Sequence, residues 1–523
     1  MARTRFRRRS RRRSAEFLQK PRGLIHPRVQ EVGPEHFGIV SVDPAKARSK
    51  WMLCDFYGKV LIPPNFVSHN HVELEAAVAH VRAAKEQHCL GDLLIAVERT
   101  GRYHHPVKNA FAAARFDTRV VHPFATKQFR QPADPSNKTD DTDLAAIHRA
   151  AVNGFALAEA VVDESWRRLQ LLIRHRRDLV RKCSTLCCQI REHLDAALPG
   201  YAACFANLWE RDLAFPLVRQ FGSAPAMVDA GVDALARFVH EQGIRFQRRS
   251  LLNILEWAKT AAPADRAADI HRRVALAYED DRRGKNQEIQ ALEREIAGLL
   301  VRTPYVLLLS FPGINVVSAA DFAGEAGPME NYANPRAITG RAGLFPSRYQ
   351  SDHVDRADGP LVRRANHALR ATILGIADNL ICCNHHFGVL ATGWRAAGKD
   401  PRLTHVKVGM RFTRIAFHMV AGRQVFRHPC LRERSYILDK LLAFHIEHQT
   451  PIPETLQDLN YALEQVPKKE YKAEAQPLAA RLELLEHRGA KGPRPLSEAL
   501  AIVLARLGVG KVQSSESGEV NLA

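Results

Sequence analysis

The sequence predicts an α/β domain followed by a longer, mostly helical remainder. Three observations carry that reading. Short apolar segments alternate with helical ones over residues 36–160, two later stretches repeat apolar residues at steps of three and four, and the 523-residue length allows two to four domains at roughly 100–200 residues each.

FGIVSV (37–42), WMLCDF (51–56) and KVLIP (59–63) read as strands, the last two joined by a turn at Tyr57-Gly58. VELEAAVAHVRAAKEQ (72–87) has helical spacing, LLIAVE (93–98) reads as a buried strand, HPVKNAFAAAR (105–115) as a helix and RVVHPF (119–124) as a strand. A further helix starts near Asp140 and runs on through LAAIHRAAVNGFALAEA. The order βββαβαβα is that of an RNase H-like, RuvC-like sheet. Downstream, Leu169, Ile173, Arg176, Val180, Cys183, Cys187, Ile190, Leu194 and Ala197 form a heptad seam interrupted by Arg176, and Ile289, Leu292, Ile296 and Leu299 form a second. These predict a helical hairpin or an intermolecular coiled coil, with residues 200–264 inserted or linking, unless the spacing is purely structural. The segment LLLSFPGINVVSAADFAGE contains a Pro-Gly turn similar to a helix-hairpin-helix turn, which presents backbone N–H groups to phosphate. The expected organisation is a basic, disordered arm (1–35), a RuvC-like domain (36–160), a helical, coiled-coil region (161–305), a mostly helical second catalytic domain (306–428) and a helical, partly disordered tail (429–523).

Hydrophobic residues make up 46% and charged residues 25%, which excludes a collagen, a wholly disordered chain and a polytopic membrane protein. Lys and Arg number 76 against 56 Asp and Glu, a formal net charge of +20. Residues 1–30 alone hold eleven Lys or Arg and one acid, Glu16. Such a balance points to a polyanionic partner, nucleic acid before acidic lipid. The arm reads either as a phosphate-binding tail or as a solvated extension. Nine cysteines without a CxxC pair fit a reducing compartment, hence a cytoplasmic, nucleoid-associated protein without structural zinc. No apolar run reaches 18 residues, so neither a membrane span nor a secretory signal is read.

Four carboxylates occupy telling positions. Asp43 ends the first strand and Glu98 the fourth, and Asp140 and Asp143 sit three apart at a helix start, on one face. In an RNase H-like sheet these ends lie side by side, so the four would converge, raise one another's pKa values and call for hard divalent cations, Mg²⁺ or Mn²⁺. Two such ions clamp the attacking and leaving oxygens of a phosphodiester exchange. The plainer alternative makes each a turn or helix-cap residue. Asp141 points about 100° away and serves as an internal contrast.

With VDPAK around Asp43, VERTG around Glu98, KTDDTD over 138–143, FPGINVVSAADFAGEAG, and ANPRAITGRAGLFPSRYQS followed by RRANHALR, the chain resembles the DEDD-type insertion-sequence transposases, whose recombination is guided by a structured bridge RNA. The likeness covers roughly residues 37–160 and 300–425. It implies that Asp43, Glu98, Asp140 and Asp143 bind the metal ions. It also implies a serine nucleophile, placed at Ser351 by counting from the proline of GLFP, with Ser347 as the second choice. Where the family has glycine after that serine, this chain has Asp352. Donor and target DNA, a bridge RNA, and a dimer assembling to a tetramer in which carboxylates and serine meet between subunits follow from the same likeness. Arg363, Arg364 and Arg370 recur at helical spacing after the serine, either to hold a nucleic-acid backbone or as a solvated basic face.

The implied activity is cutting and rejoining of DNA through a serine–DNA link. Two alternatives stand beside it: a metal-dependent RuvC-like nuclease using water, and a catalytically inactive nucleic-acid-binding relative. Other signals carry less. Gly508-Val-Gly510-Lys511 lacks the spacing of a phosphate-binding loop, His445-x-x-His448 lacks further metal ligands, and Cys382-Cys383-Asn384-His385-His386 reads as interior helix.

Overall fold

The computed structural model describes residues 22–131, 138–159, 163–209, 212–351, 354–356, 359–426 and 435–467. The chain divides into two compact units at residues 161/162.

The first unit is built on a six-stranded mixed sheet, β1 (Phe37–Pro44), β2 (Arg48–Asp55), β3 (Val60–Ser68), β4 (Asp92–Glu98), β5 (Asp117–Val121) and β6 (Ala156–Leu157), in the order β3-β2-β1-β4-β5-β6. β1 pairs antiparallel with β2 and parallel with β4, and β4 pairs parallel with β5. Alternate side chains of β1 and β4 face opposite ways, which is why both strands read as unbroken apolar runs. Val40, Val42, Ile95 and Val97 pack with Val81 of α2 (His71–Gln87) and with Val107 and Phe111 of α3 (His104–Ala113). Phe37, Ile39, Leu94 and Ala96 pack on the other face with Ala125 of α4 (Pro123–Arg130) and with Ile147, Ala150 and Ala151 of α5 (Asp140–Val152).

Several boundaries move. The arm expected to reach residue 35 is shorter. Residues His26–Val32 form α1, Ile25 and Val29 are buried in the sheet's core, and Arg28 donates two bonds of 2.7 Å to Asp92 besides pairing with Asp117. The rest of the arm, residues 1–21, lies outside the described residues. β3 runs past Pro63-Pro64 because it is an edge strand, where a missing N–H need not face a partner. The strand expected over 119–124 ends at Val121, since His122 caps α4 by accepting from the N–H of Phe124 at 3.1 Å and Pro123 takes its first position. The helix expected to run past residue 152 stops there, at an Asn153-Gly154 turn with Gly154 at φ 77°.

The second unit, among its described residues, is mostly helical. Two long helices, α6 (Glu164–Ala197) and α10 (Ala268–Leu300), run antiparallel, as the falling order of their pairs requires: Arg168 with Glu295, His175 with Glu288, Cys183 with Asn286, His193 with His271. The seam is not the one expected. Its ends hold, with Leu169, Ile173, Ile190, Leu194 and Ala197 buried, but in the middle Leu179 and Leu186 are buried and Val180 is 38% exposed. A straight helix at 3.6 residues per turn drifts off a 3.5-residue repeat. Arg176 breaks the seam by pairing with Glu293 at 2.5 Å.

Between the long helices, α7 (Ala214–Phe221), α8 (Ala224–Glu241) and α9 (Arg248–Thr260) close a core of their own on Ile190, Leu194 and Tyr201. A second core gathers the N-terminal part of α6 and the C-terminal part of α10 with α11 (Val316–Ala326), α12 (Pro335–Arg341), α13 (His367–Cys383), α14 (His385–Ala396), α15 (Pro401–Ala421), α16 (Ser435–Glu447) and α17 (Ile452–Gln465). Thus residues 435–467, expected in the tail, belong to this core through Leu438, Leu441, Phe444 and Ala462. The prolines at 477, 493 and 495 and the Gly508–Lys511 stretch lie outside the described residues.

The Cys382–His386 stretch is not continuous helix, because buried Asn384 separates α13 from α14 and donates to the carbonyl of Pro312 at 3.3 Å. No helix among the described residues is long and apolar enough to cross a membrane.

Candidate active site

The register places Asp43 one step beyond the Val42–Val97 pair of the parallel β1 and β4, level with Glu98 at the end of β4. Both share the parity of Ile39 and Leu94, so they lie on the face that α5 covers. α5 begins at that same edge. Thr139 caps it, exchanging hydrogen bonds with Thr142 in a capping box, and Asp140, Asp141 and Asp143 occupy its first turn, where the helix dipole favours negative charge.

Of these, Asp143 is buried and pairs with Arg130, Asp140 is exposed, and Asp141 turns aside to Lys50 at 2.7 Å. Glu98 accepts a hydrogen bond from the Thr100 hydroxyl at 3.2 Å, which gives the E-x-T pattern a physical role in orienting that carboxylate. Asp43 feels the whole group. Burial above all, and then Glu98, Asp143 and Asp140, push its carboxyl up to about 7, with Lys138 pulling the other way. That shift reflects first the burial of Asp43 and then its repulsion by the acids around it. Such a donor set, all hard oxygens, suits Mg²⁺ or Mn²⁺ in chemistry. In geometry, no group of three His, Cys, Asp or Glu among the described residues is close enough to hold one ion. Arg130 and Thr100 engage two of the four acids instead.

In the second unit, Ser351 ends β7 (Tyr349–Ser351), which pairs antiparallel with β8 (Val354–Arg356) so that Ser351 stands opposite Val354. It is exposed. Asp352 lies outside the described residues. Ser347, also exposed, precedes the paired strands, and its N–H donates to the carbonyl of Pro360 at 2.9 Å.

Arg363 and Arg364 are exposed, but Arg370 is not available to a nucleic-acid backbone as expected. Its guanidinium donates to the carbonyls of Ala342 at 2.8 Å, of Gly343 at 3.2 Å and of Val362. Its neighbours in RRANHALR are structural too. Asn366 caps α13 by accepting from the N–H of Leu369 at 3.0 Å and donates to Glu325 at 3.1 Å, and Leu369 is buried.

The Pro-Gly turn expected to resemble a helix-hairpin-helix turn lies between a short helix and α11. A 3-10 helix, Pro304–Ser310, precedes it, and around the turn the carbonyls of Leu309, Phe311 and Ile314 accept from the buried ammonium of Lys440 at 2.8, 2.6 and 2.8 Å. Burial pushes that ammonium down to about 7. Neither Lys440 nor Arg130 could be picked out in the sequence. Each reaches its partner across a distance in sequence that no local pattern signals. The histidines of His445-x-x-His448 meet acids of neighbouring helices, His448 reaching Glu293 at 2.6 Å and His445 reaching Asp458 at 3.4 Å.

Residues 40–199 match the model of the DEDD transposase domain of the IS110 family, and residues 305–390 match the model described as transposase, IS116/IS110/IS902 family. No curated protein matches the chain.

Proposed function

Because the chain is a DEDD-type insertion-sequence transposase, with both family segments in order, we propose that it cuts and rejoins DNA strands through a covalent serine–DNA intermediate formed at Ser351. Asp43, Glu98, Asp140 and Asp143 would hold Mg²⁺ or Mn²⁺. The observation that supports the reading is the register that ends the parallel β1 and β4 level at Asp43 and Glu98, on the edge where α5 begins with Asp140 and Asp143. When bound, a divalent cation neutralises that cluster and stabilises the charge that builds on the attacking and leaving oxygens of a phosphodiester.

The chain's own groups do the rest. Thr100 orients Glu98, Arg130 orients Asp143, and the α5 cap fixes the direction of Asp140. Ser351, exposed at the end of β7, would supply the attacking hydroxyl. Loss of the hydroxyl proton accompanies formation of the Oγ–P ester and release of the deoxyribose hydroxyl on the far side of phosphorus. A new strand's hydroxyl then displaces the serine and restores it. The phosphodiester's bond energy is conserved in the ester, so rejoining needs no further energy source. A bridge RNA that pairs with donor and target would delegate sequence choice to base pairing, and the protein would act as a homo-oligomer.

A second reading, a RuvC-like nuclease that uses water, draws on one observation: all four carboxylates belong to the first unit, which lacks Ser351. The test is to incubate the protein, its co-expressed flanking RNA and Mg²⁺ with labelled donor and target DNA, and to resolve the products on a denaturing gel. The transposase reading expects a protein–DNA adduct that Ser351→Ala and Asp140→Ala each abolish. Nicking that persists in Ser351→Ala without an adduct would favour the nuclease.

A further inference from the structure

From the end of the second matched segment onward, the chain gathers positive charge with few carboxylates beside it among the described residues. Residues 384–426 contain seven Lys or Arg and a single acid, Asp400. That carboxylate caps α15, accepting from the N–H groups of Arg402 at 2.7 Å and Leu403 at 3.3 Å. α15 buries Thr404, Val408, Phe412, Ala416 and Met419. Opposite them, Lys407, Arg411, Arg414 and His418 follow one another at steps of four, three and four. At about 100° per residue these four fall within a sector roughly 60° wide.

Among the described residues, none of Arg395, Lys399, Lys407, Arg411 and Arg414 pairs with a carboxylate, and the acid on the neighbouring helix, Asp378, is engaged by His405 at 2.6 Å. Like charges are instead set side by side. The Lys407 ammonium lies 5.6 Å from the centre of the Trp394 ring, and desolvation, then the neighbouring Lys399, hold it below the ordinary lysine value. Burial and then Arg411 and His385 do the same to His386. A surface that sets Lys407 against Lys399 and leaves Arg411 and Arg414 without a carboxylate partner among the described residues is complementary to a dense row of anions.

We propose that this face of α14 and α15 docks duplex DNA by its phosphate backbone, with Lys407, Arg411 and Arg414 as the principal contacts. The proposal rests on DNA being the substrate, and not on the chemistry of Ser351. The donors are strung along a helix and not gathered in a pocket, so a single phosphate or nucleotide is a poor fit. From Lys407 to His418 the row spans about 16 Å at 1.5 Å per residue. That length covers about five phosphates of one strand at 3.4 Å each. Unpaired strands are held largely by stacking on aromatic rings, and the exposed large apolar side chains of α14 and α15 are Val389, Leu403 and Met410, none aromatic.

The experiment measures binding of the full chain to a labelled duplex of about 30 base pairs, roughly three helical turns, of arbitrary sequence. EDTA keeps strand chemistry out of the reading, and anisotropy is followed from about 50 to 200 mM salt. The triple variant K407Q/R411Q/R414Q is expected to flatten the slope of log K against log salt by about 2.7, at about 0.9 per lost phosphate contact. The single variant R414Q, kept in case the triple variant misfolds, is expected to flatten it by about 0.9, and R411K/R414K to preserve it. An unchanged slope in variants with native circular dichroism overturns the proposal. So does a change confined to a hairpin RNA probe, which would assign the face to RNA. Ser351→Ala separates the two readings, because it is expected to abolish the adduct and leave the slope intact; loss of the adduct reading alone leaves the docking face standing.

Discussion

Asp43→Asn should stabilise the protein while destroying its strand chemistry. The Asp43 carboxyl moves from 3.8 to about 7 on folding, so between those values the folded chain holds a proton that the unfolded chain has released. Stability contributed by this group therefore falls as pH rises through that window and levels off above about 7. Three units at about 1.4 kcal/mol each would be about 4 kcal/mol, and partial solvent access to a half-buried group reduces this to about 2 kcal/mol. Asparagine cannot ionise, so the variant should exceed wild type by about 2 kcal/mol at pH 8, by roughly a third of that at pH 5, and by nothing near pH 3.5. Urea unfolding at the three values, without divalent cations, gives the difference directly. Mg²⁺ should then raise the midpoint of wild type at pH 8 and leave the variant unmoved, since only wild type has the charge to be neutralised. An equal gain at all three pH values, or none at pH 8, would refute the argument that burial and the neighbouring acids raise this carboxyl.

Arg370→Ala should destabilise the second unit by about 3 kcal/mol, because three carbonyl acceptors lose a charged donor, with no change in the salt dependence of DNA binding. Urea unfolding and the anisotropy titration read these separately. Gly313→Ala should cost about 1–3 kcal/mol in thermal unfolding, since Gly313 sits at φ 89° and an added Cβ would come within 3.1 Å of the Asn379 carbonyl. Ile173→Ala, at a fully buried position where α6 meets the second core, should cost about 2–5 kcal/mol by the same measurement.

Much of the first unit is legible because its signals are local. The apolar runs of β1 and β4, the acidic start of α5 and the Tyr57-Gly58 turn each reside in a few consecutive residues, and together they set the order of elements along the chain. What stays illegible is decided across the fold. Val29 reads as part of a basic arm until Arg28 finds Asp92 and Asp117 on strands that follow it by more than sixty residues. Val180 fits a heptad on paper, yet Leu179 takes its place once α6 has to track α10. The candidate site divides in the same way. Asp43 and Glu98 are readable as strand ends, whereas the Arg130 that pairs with Asp143 could not be found from spacing.

The same contrast sorts the motif residues by role. In RRANHALR, the contacts of Asn366, Leu369 and Arg370 all stabilise the fold: a helix cap, a core side chain and a clamp on three carbonyls. Their presence needs no chemistry to explain it. Asp43 is the opposite case. Its surroundings raise the free energy of its charged form, and neutral asparagine would suit the fold better. The basic face of α14 and α15 shares that character, with Lys407 set against Lys399 and no carboxylate paired with Arg411 or Arg414 among the described residues. Where local consistency fails with no structural gain, the fold is holding a group for something outside itself. Hard cations are what the proposed carboxylate site would need and a phosphate backbone what the proposed basic face would need, so each place asks for a partner of opposite charge.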